Sequence, residues 1–242
     1  MDVRPMMEVV KGTAFDILQA AGGCPTSLRP GRWLDLYSST GSVGIEALSW
    51  GCSEVHFVKM DPWVVSDVLR PNLEWTSFLD VSVIHTARVE RFLEQAERFV
   101  DGPFDYISVT PPYTAVDYGV LMDQVSKSSV VGEDTFIVVE YPLRTDMLDS
   151  CGCLIKISDR RFGRTHLAIY GPKWAQKKRK LEKFVWALAR KVRKSKGLQW
   201  MYMPAFIEKI LNQLMKDDGE VDVSVDAGEA FWVKELGICV LM

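Results

Sequence analysis

The chain has 242 residues, 48% hydrophobic and 25% charged, the balance of a globular protein with length for one sizeable core and an appendage. No apolar run approaches the roughly 20 residues that span a bilayer, and the opening MDVRPMMEVVKG lacks the apolar stretch of a signal peptide, which points to a soluble, non-secreted chain. The formal net charge of −3 conceals an asymmetry: residues 1–172 carry 15 basic against 23 acidic side chains, residues 173–196 carry 11 against 1, and residues 197–242 carry 3 against 8.

Residues 6–20 set Val9, Val10, Ala14, Ile17 and Leu18 in a helical stripe that would pack on a sheet. Short apolar runs then alternate with amphipathic stretches. RWLDLYS (32–38), EVHFV (54–58), VSVIH (81–85), FDYISV (104–109) and TFIVVEY (135–141) read as buried parallel strands, because both faces of such a sheet are covered. Each precedes a predicted helix: SVGIEALSWG (42–51), PWVVSDVLRPNLEW (62–75), ARVERFLEQAERFV (87–100), DYGVLMDQV (117–125) and LRTDMLDSC (143–151). Five such units predict an α/β fold, a Rossmann-like, doubly wound, mostly parallel sheet. CLIKIS and THLAIYG, joined by the charged turn DRRFGR (159–164), then read as an antiparallel hairpin closing the sheet.

Beyond residue 172 the register is lost, and residues 173–242 are expected to form a basic, then acidic, C-terminal extension. Within it, 173–197 reads as a basic amphipathic helix with Phe184, Val185, Leu188 and Val192 on one face, 204–218 as a second helix and 221–225 as a strand. The dense positive block is a candidate phosphate-binding element, with a solvated helix face as the alternative. Five cysteines form an odd set with C-x-C as its close pair, which fits reduced thiols and argues against a zinc site.

The first strand runs into D-L-Y-S-S-T-G-S-V-G, residues 35–44, and a helix. Glycine at a strand-to-helix turn lets backbone approach a ligand, and the helix start presents free N–H groups. Asp61 stands near the end of the second strand, and T-P-P-Y (Thr110, Pro111, Pro112, Tyr113) ends the fourth. In an open α/β sheet these places converge on one crevice at the carboxyl ends of the strands.

Taken together, VRPMMEVVKGTAFDIL, LDLYSSTGSVGIEALSWG, FVKMD, FDYISVTPPY and FIVVEY, over about residues 3–171, resemble the RsmD-type methyltransferases. That family has the class I methyltransferase fold and methylates the exocyclic N2 of a guanine in small-subunit (16S-type) ribosomal RNA, using S-adenosylmethionine and no metal. The resemblance implies a methyltransferase domain over residues 1–172. It implies that Asp35, Tyr37, Ser38, Ser39, Gly41, Lys59, Met60, Asp61, Arg88 and Val89 serve the cofactor. Thr110 and the following proline carbonyl would accept hydrogen bonds from the guanine amino group, with Pro111 and Pro112 fixing the backbone and Tyr113 stacking on the flipped base.

Three positions depart from the family pattern. Ser39 stands where the loop has its first glycine, Lys59 where a carboxylate grips the ribose hydroxyls, and Thr110 where Asn or Asp is usual. Arg88 stands near where an Asp or Asn faces the adenine. An ammonium group has three donors and no acceptor, so cofactor binding is expected to be weaker than the family norm. The alternatives are a degenerate relative with weak or no catalysis, and a methyltransferase of a non-RNA substrate. The implied partner is ribosomal RNA or a pre-ribosomal small subunit, with no membrane. Organellar versions of the family occur in plants, so a plastid is the implied compartment, although no transit peptide is visible, and the cytoplasm is the alternative. Family members also carry a basic β-hairpin ahead of the RP motif.

Overall fold

The computed structural model describes residues 5–22, 27–113, 116–176, 230–233 and 238–241. The chain divides into two compact units, Met1–Ala175 and Gln176–Met242. Within the first, α1 (Glu8–Gly22) precedes an eight-stranded sheet of order β3-β2-β1-β4-β5-β8-β7-β6. Strands β1 (Arg32–Leu36), β2 (Glu54–Val58), β3 (Ser82–His85), β4 (Phe104–Val109) and β5 (Val131–Pro142) run parallel. Strands β6 (Ser150–Cys151), β7 (Leu154–Phe162) and β8 (Thr165–Gly171) add antiparallel pairings, β8 lying beside β5. The doubly wound sheet with a terminal hairpin is therefore present as the alternation of apolar runs predicts.

Why the strands read as continuous apolar runs is visible in the packing. Successive residues point to opposite faces. Trp33, Val55, Phe57, Tyr106, Phe136 and Val138 pack into one core with α1 and α2 (Ser42–Ser49). Leu34, Leu36, Val58, Ile107, Val109, Ile137 and Val139 pack into the other, beneath α5 (Val89–Glu94), α6 (Ala96–Phe99) and α7 (Tyr118–Lys127). Trp33 is fully buried between Phe15 and Tyr106, with ring centroids 5.3 and 5.4 Å away.

The predicted helix 62–75 is interrupted: α3 (Pro62–Val64) passes into a π-helical turn, Val65–Leu69, before α4 (Arg70–Trp75). Pro71 has no N–H to donate, and its ring excludes the carbonyl four residues back, so a regular α-helix does not run through it. The predicted helix 87–100 likewise divides at Gln95 into α5 and α6. The first predicted strand ends at Leu36, because Tyr37 takes the left-handed region with φ 61°.

Two expectations fail. Residues 143–149 form no helix. Their carbonyls serve other partners: Leu148 accepts from the Tyr170 hydroxyl at 2.6 Å, and Met147 from Lys156 Nζ at 3.0 Å. The following strands are antiparallel, so no crossover helix is required there. Val9 is 62% exposed, and the buried stripe of α1 is Val10, Ala14, Phe15, Ile17, Leu18 and Ala21.

In the second unit, β9 (Ala230–Val233) pairs antiparallel with β10 (Ile238–Leu241), strands that the sequence pattern does not announce. The helix expected over 173–197 lies outside the described residues beyond 176, as do the helix at 204–218 and the strand at 221–225. Among the described residues no helix is long and apolar enough to cross a membrane.

Candidate active site

The carboxyl ends of β1, β2 and β4 open into one cleft of about 610 Å³. Ten of the expected residues line it: Tyr37 and Ser39 after β1, Lys59 and Met60 after β2, Arg88 and Val89 at the start of α5, and Thr110, Pro111, Pro112 and Tyr113 after β4. The residues expected to serve the cofactor and the T-P-P-Y turn thus share one space.

Four other expected residues support the walls instead of lining them. Asp35 is 2% exposed, beneath the start of α2. Trp33 Nε1 donates to Ser108 Oγ at 2.9 Å, and the Ser108 hydroxyl donates to Asp35 Oδ1 at 2.7 Å. Burial pushes the Asp35 carboxyl up to about 7, against the lowering pull of Ser108, the Gly44 N–H and the Lys59 charge. Ser38 is also buried, and its hydroxyl faces the carbonyls of Asp35 and Val58 at 3.2 and 3.1 Å, joining the ends of β1 and β2. Gly41 caps α2 with φ 79°, and a Cβ there would lie 2.5 Å from Leu69 Cδ1, so this turn requires glycine on two counts. Asp61 accepts the Trp63 N–H at 3.0 Å, capping α3, and its carboxylate is directed there.

Tyr37 is a non-glycine residue in left-handed backbone, a conformation that costs about 1–3 kcal/mol and tends to persist at functional sites. Its hydroxyl donates to Glu90 Oε1 at 3.1 Å, which spans the cleft wall from β1 to α5. Thr110 directs its hydroxyl at the Leu36 carbonyl, 3.4 Å away. Tyr113 is anchored by its hydroxyl, which donates to Glu140 Oε1 at 2.5 Å and lies 2.9 Å from Thr165 Oγ1.

Glu90 and Glu140 line the cleft but do not stand out as site residues in the sequence. Glu90 sits in an amphipathic helix where a charge reads as solvated surface. Glu140 carried a usable signal, since a lone carboxylate inside the apolar run FIVVEY must find a partner. The cleft therefore sets two cations, Lys59 and Arg88, against two carboxylates, Glu90 and Glu140. Among the described residues no group of three or more His, Cys, Asp or Glu side chains is arranged to hold a metal ion.

The family model described as "Conserved hypothetical protein 95" matches residues 1–171. A curated relative, "Putative rRNA methyltransferase YlbH" of Bacillus subtilis (strain 168), is 29% identical over 167 residues, 69% of this chain and 86% of that protein. Among solved structures, the Thermus thermophilus hypothetical protein TTHA0928 matches with TM-score 0.57 and 26% identity, over 69% of this chain and 86% of its own. SMU.776, solved in complex with SAH, shares the fold with TM-score 0.54 and 12% identity, over 68% of this chain and 50% of its own.

Proposed function

The chain belongs to the Conserved hypothetical protein 95 family through residues 1–171, and from that membership we propose that it is an S-adenosylmethionine-dependent methyltransferase acting on N2 of a guanine in small-subunit ribosomal RNA. The observation that carries this reading is the single cleft in which the T-P-P-Y turn faces Tyr37, Ser39 and Met60. The name of the Bacillus relative supports an rRNA substrate, and the SAH held by SMU.776 supports the cofactor class.

The residues present fit a nucleoside-bearing cofactor. A cleft of about 610 Å³ lies within the range of ligand pockets, roughly 300–1,000 Å³. Met60 and Val89 offer apolar walls, Ser39 a small polar contact, and Glu90 a carboxylate on the same wall that already accepts from Tyr37. When bound, the cofactor supplies an electrophilic methyl group. Guanine N2 is a poor nucleophile, because its lone pair is delocalised into the ring, so the protein must hold the base and accept its amino hydrogens. Thr110 Oγ1 spends its own hydrogen on the Leu36 carbonyl, which leaves its lone pairs for the incoming amino group, and the Pro111 carbonyl is the second acceptor. The ring of Tyr113, held at its hydroxyl by Glu140 and Thr165, is the stacking surface. Residues 173–196 are proposed as an RNA contact, and most of them lie outside the described residues.

The test is transfer of labelled methyl to small-subunit rRNA or its precursor particle, followed by nucleoside analysis for N2-methylguanosine. Labelled N2-methylguanosine is expected, and its absence with cofactor bound overturns the reading. Lys59 in the cleft favours a second reading, a weak-binding relative that keeps the fold as a scaffold. Calorimetry with S-adenosylmethionine and S-adenosylhomocysteine, read beside the transfer assay, separates the two, because the scaffold binds weakly at most and transfers no methyl group even at saturating cofactor. Residence in a plastid belongs to the first reading and is tested by microscopy of a fluorescent fusion.

A further inference from the structure

We infer that the tip of the β7–β8 hairpin, with the turn after β5, is the site that grips the RNA backbone next to the target base. This rests on the RNA substrate proposed above. Residues 1–172 are acidic overall, with 15 basic against 23 acidic side chains. At one place that sign reverses. Arg160, Arg161 and Arg164 occupy the turn region of the hairpin, and all three are exposed. The Leu143 N–H donates to the Arg164 carbonyl at 2.9 Å, which pins the turn carrying exposed Arg144 against the same tip.

The charge balance of this corner is uneven. Lys156 is matched by Asp149 at 3.2 Å and Asp159 at 3.5 Å, and Asp159 also accepts the Tyr141 hydroxyl at 2.7 Å. None of the four arginines forms an ion pair with a carboxylate among the described residues. Arg161 is used within the turn, its Nε donating to the Gly163 carbonyl at 2.9 Å. Among the described residues the other three guanidinium groups donate to no partner, and their fork suits phosphate oxygens. Arg144 adds a second, independent mark, because it holds φ 79°, a left-handed conformation that a non-glycine residue adopts at a cost.

The position ties the patch to the chemistry. Arg164 immediately precedes Thr165, whose hydroxyl lies 2.9 Å from that of Tyr113 at the cleft. Thr165 pairs with Pro142 on β5, two residues before Arg144. Consecutive Cα atoms are about 3.8 Å apart, so the patch begins within one residue of the group that anchors the stacking ring. A strand whose base enters the cleft must carry its phosphates past this tip, where they exchange condensed counterions for arginine.

The experiment uses the full chain and measures binding of a small-subunit rRNA fragment across a salt series. It compares wild type with the triple variant Arg144→Gly, Arg160→Ala and Arg164→Ala, and with a variant carrying Lys at the same three positions. Three lost contacts to single-stranded phosphates lower the salt slope by about 2 and the affinity at 0.1 M salt by about a hundredfold. The lysine variant should hold most of the slope, and calorimetry with S-adenosylhomocysteine should be unchanged in both, which excludes misfolding. If wild type binds RNA with salt dependence and the triple variant matches it, the arginines are a solvated turn and this inference falls while the methyltransferase reading stands. If wild type neither binds nor methylates RNA, the reading falls and takes this inference with it.

Discussion

Thr110→Val separates the chemistry of the cleft from its architecture. Valine keeps the branched shape and loses the hydroxyl. In the fold, that hydroxyl makes one contact, to the Leu36 carbonyl at 3.4 Å, and the Thr110 N–H reaches the same carbonyl at the same distance. Both are near the outer limit of a hydrogen bond, and the carbonyl keeps the N–H after the change. Stability should therefore fall by less than about 1 kcal/mol. Catalysis should respond differently. Losing an acceptor aimed at a developing charge costs about 2.7–4 kcal/mol, a hundred- to a thousandfold in rate. Thr110→Asn, which restores an amide acceptor, should raise the rate. The assay is single-turnover methyl transfer with cofactor and RNA both saturating, alongside thermal denaturation. If Thr110→Val transfers methyl as fast as wild type, Thr110 is not an acceptor in the reaction. If Thr110→Asn slows it, the hydroxyl is adapted to this cleft and not a lesser substitute.

Lys59→Glu should tighten S-adenosylmethionine binding by about ten- to a hundredfold, because it replaces a donor by the acceptor a ribose diol requires. Unchanged affinity by calorimetry would mean that Glu90 or backbone already makes that contact. Gly41→Ala should destabilise the fold by about 2–4 kcal/mol, from left-handed backbone and the clash with Leu69. Repeating it in a Leu69→Ala background should recover the steric part, and equal losses in both backgrounds would refute the clash. The Asp35 carboxyl is raised from 3.8 to about 7 by burial, so the stability tied to its neutral form is full below pH 4 and is lost as pH rises through 7. Asp35→Asn should accordingly gain on wild type by up to about 4 kcal/mol between pH 4 and 7 and stay level above. Denaturant titrations at several pH values check this, and a constant difference sinks it.

Four of the five parallel strands were legible because they are buried on both faces, which forces runs such as FDYISV and FIVVEY. Strand β3, half-buried at the sheet edge, was legible from its place in the strand-and-helix alternation. The stretch 143–151 misled because Leu143, Met147 and Leu148 mimic helical spacing, while the deciding facts, the hydroxyl of Tyr170 and the ammonium of Lys156 taking its carbonyls, lie far along the chain. Site residues on strand-to-helix turns were legible in place: Ser39, Lys59, Arg88 and Thr110 all reach the cleft. Their division into lining and support was not. Asp61 before Pro62 does carry the local signature of a helix N-cap, which competes with a cofactor role for the same carboxylate, whereas nothing local announces that Asp35 sinks beneath α2. Glu140 becomes a cleft residue through pairing with Tyr113, 27 positions away.

The Tyr113 hydroxyl joins the turn after β4 to Glu140 on β5 and Thr165 on β8, so three segments distant in sequence meet at one oxygen. Mechanically, that oxygen is a rivet. A load applied at the hairpin is transmitted to the aromatic ring without passing through the long route of the chain. The register that sets Thr165 against Pro142 therefore holds the ring as well. Slipping the pairing of β8 on β5 by two residues would carry the anchor away from the ring, in a protein whose cleft residues were all left untouched.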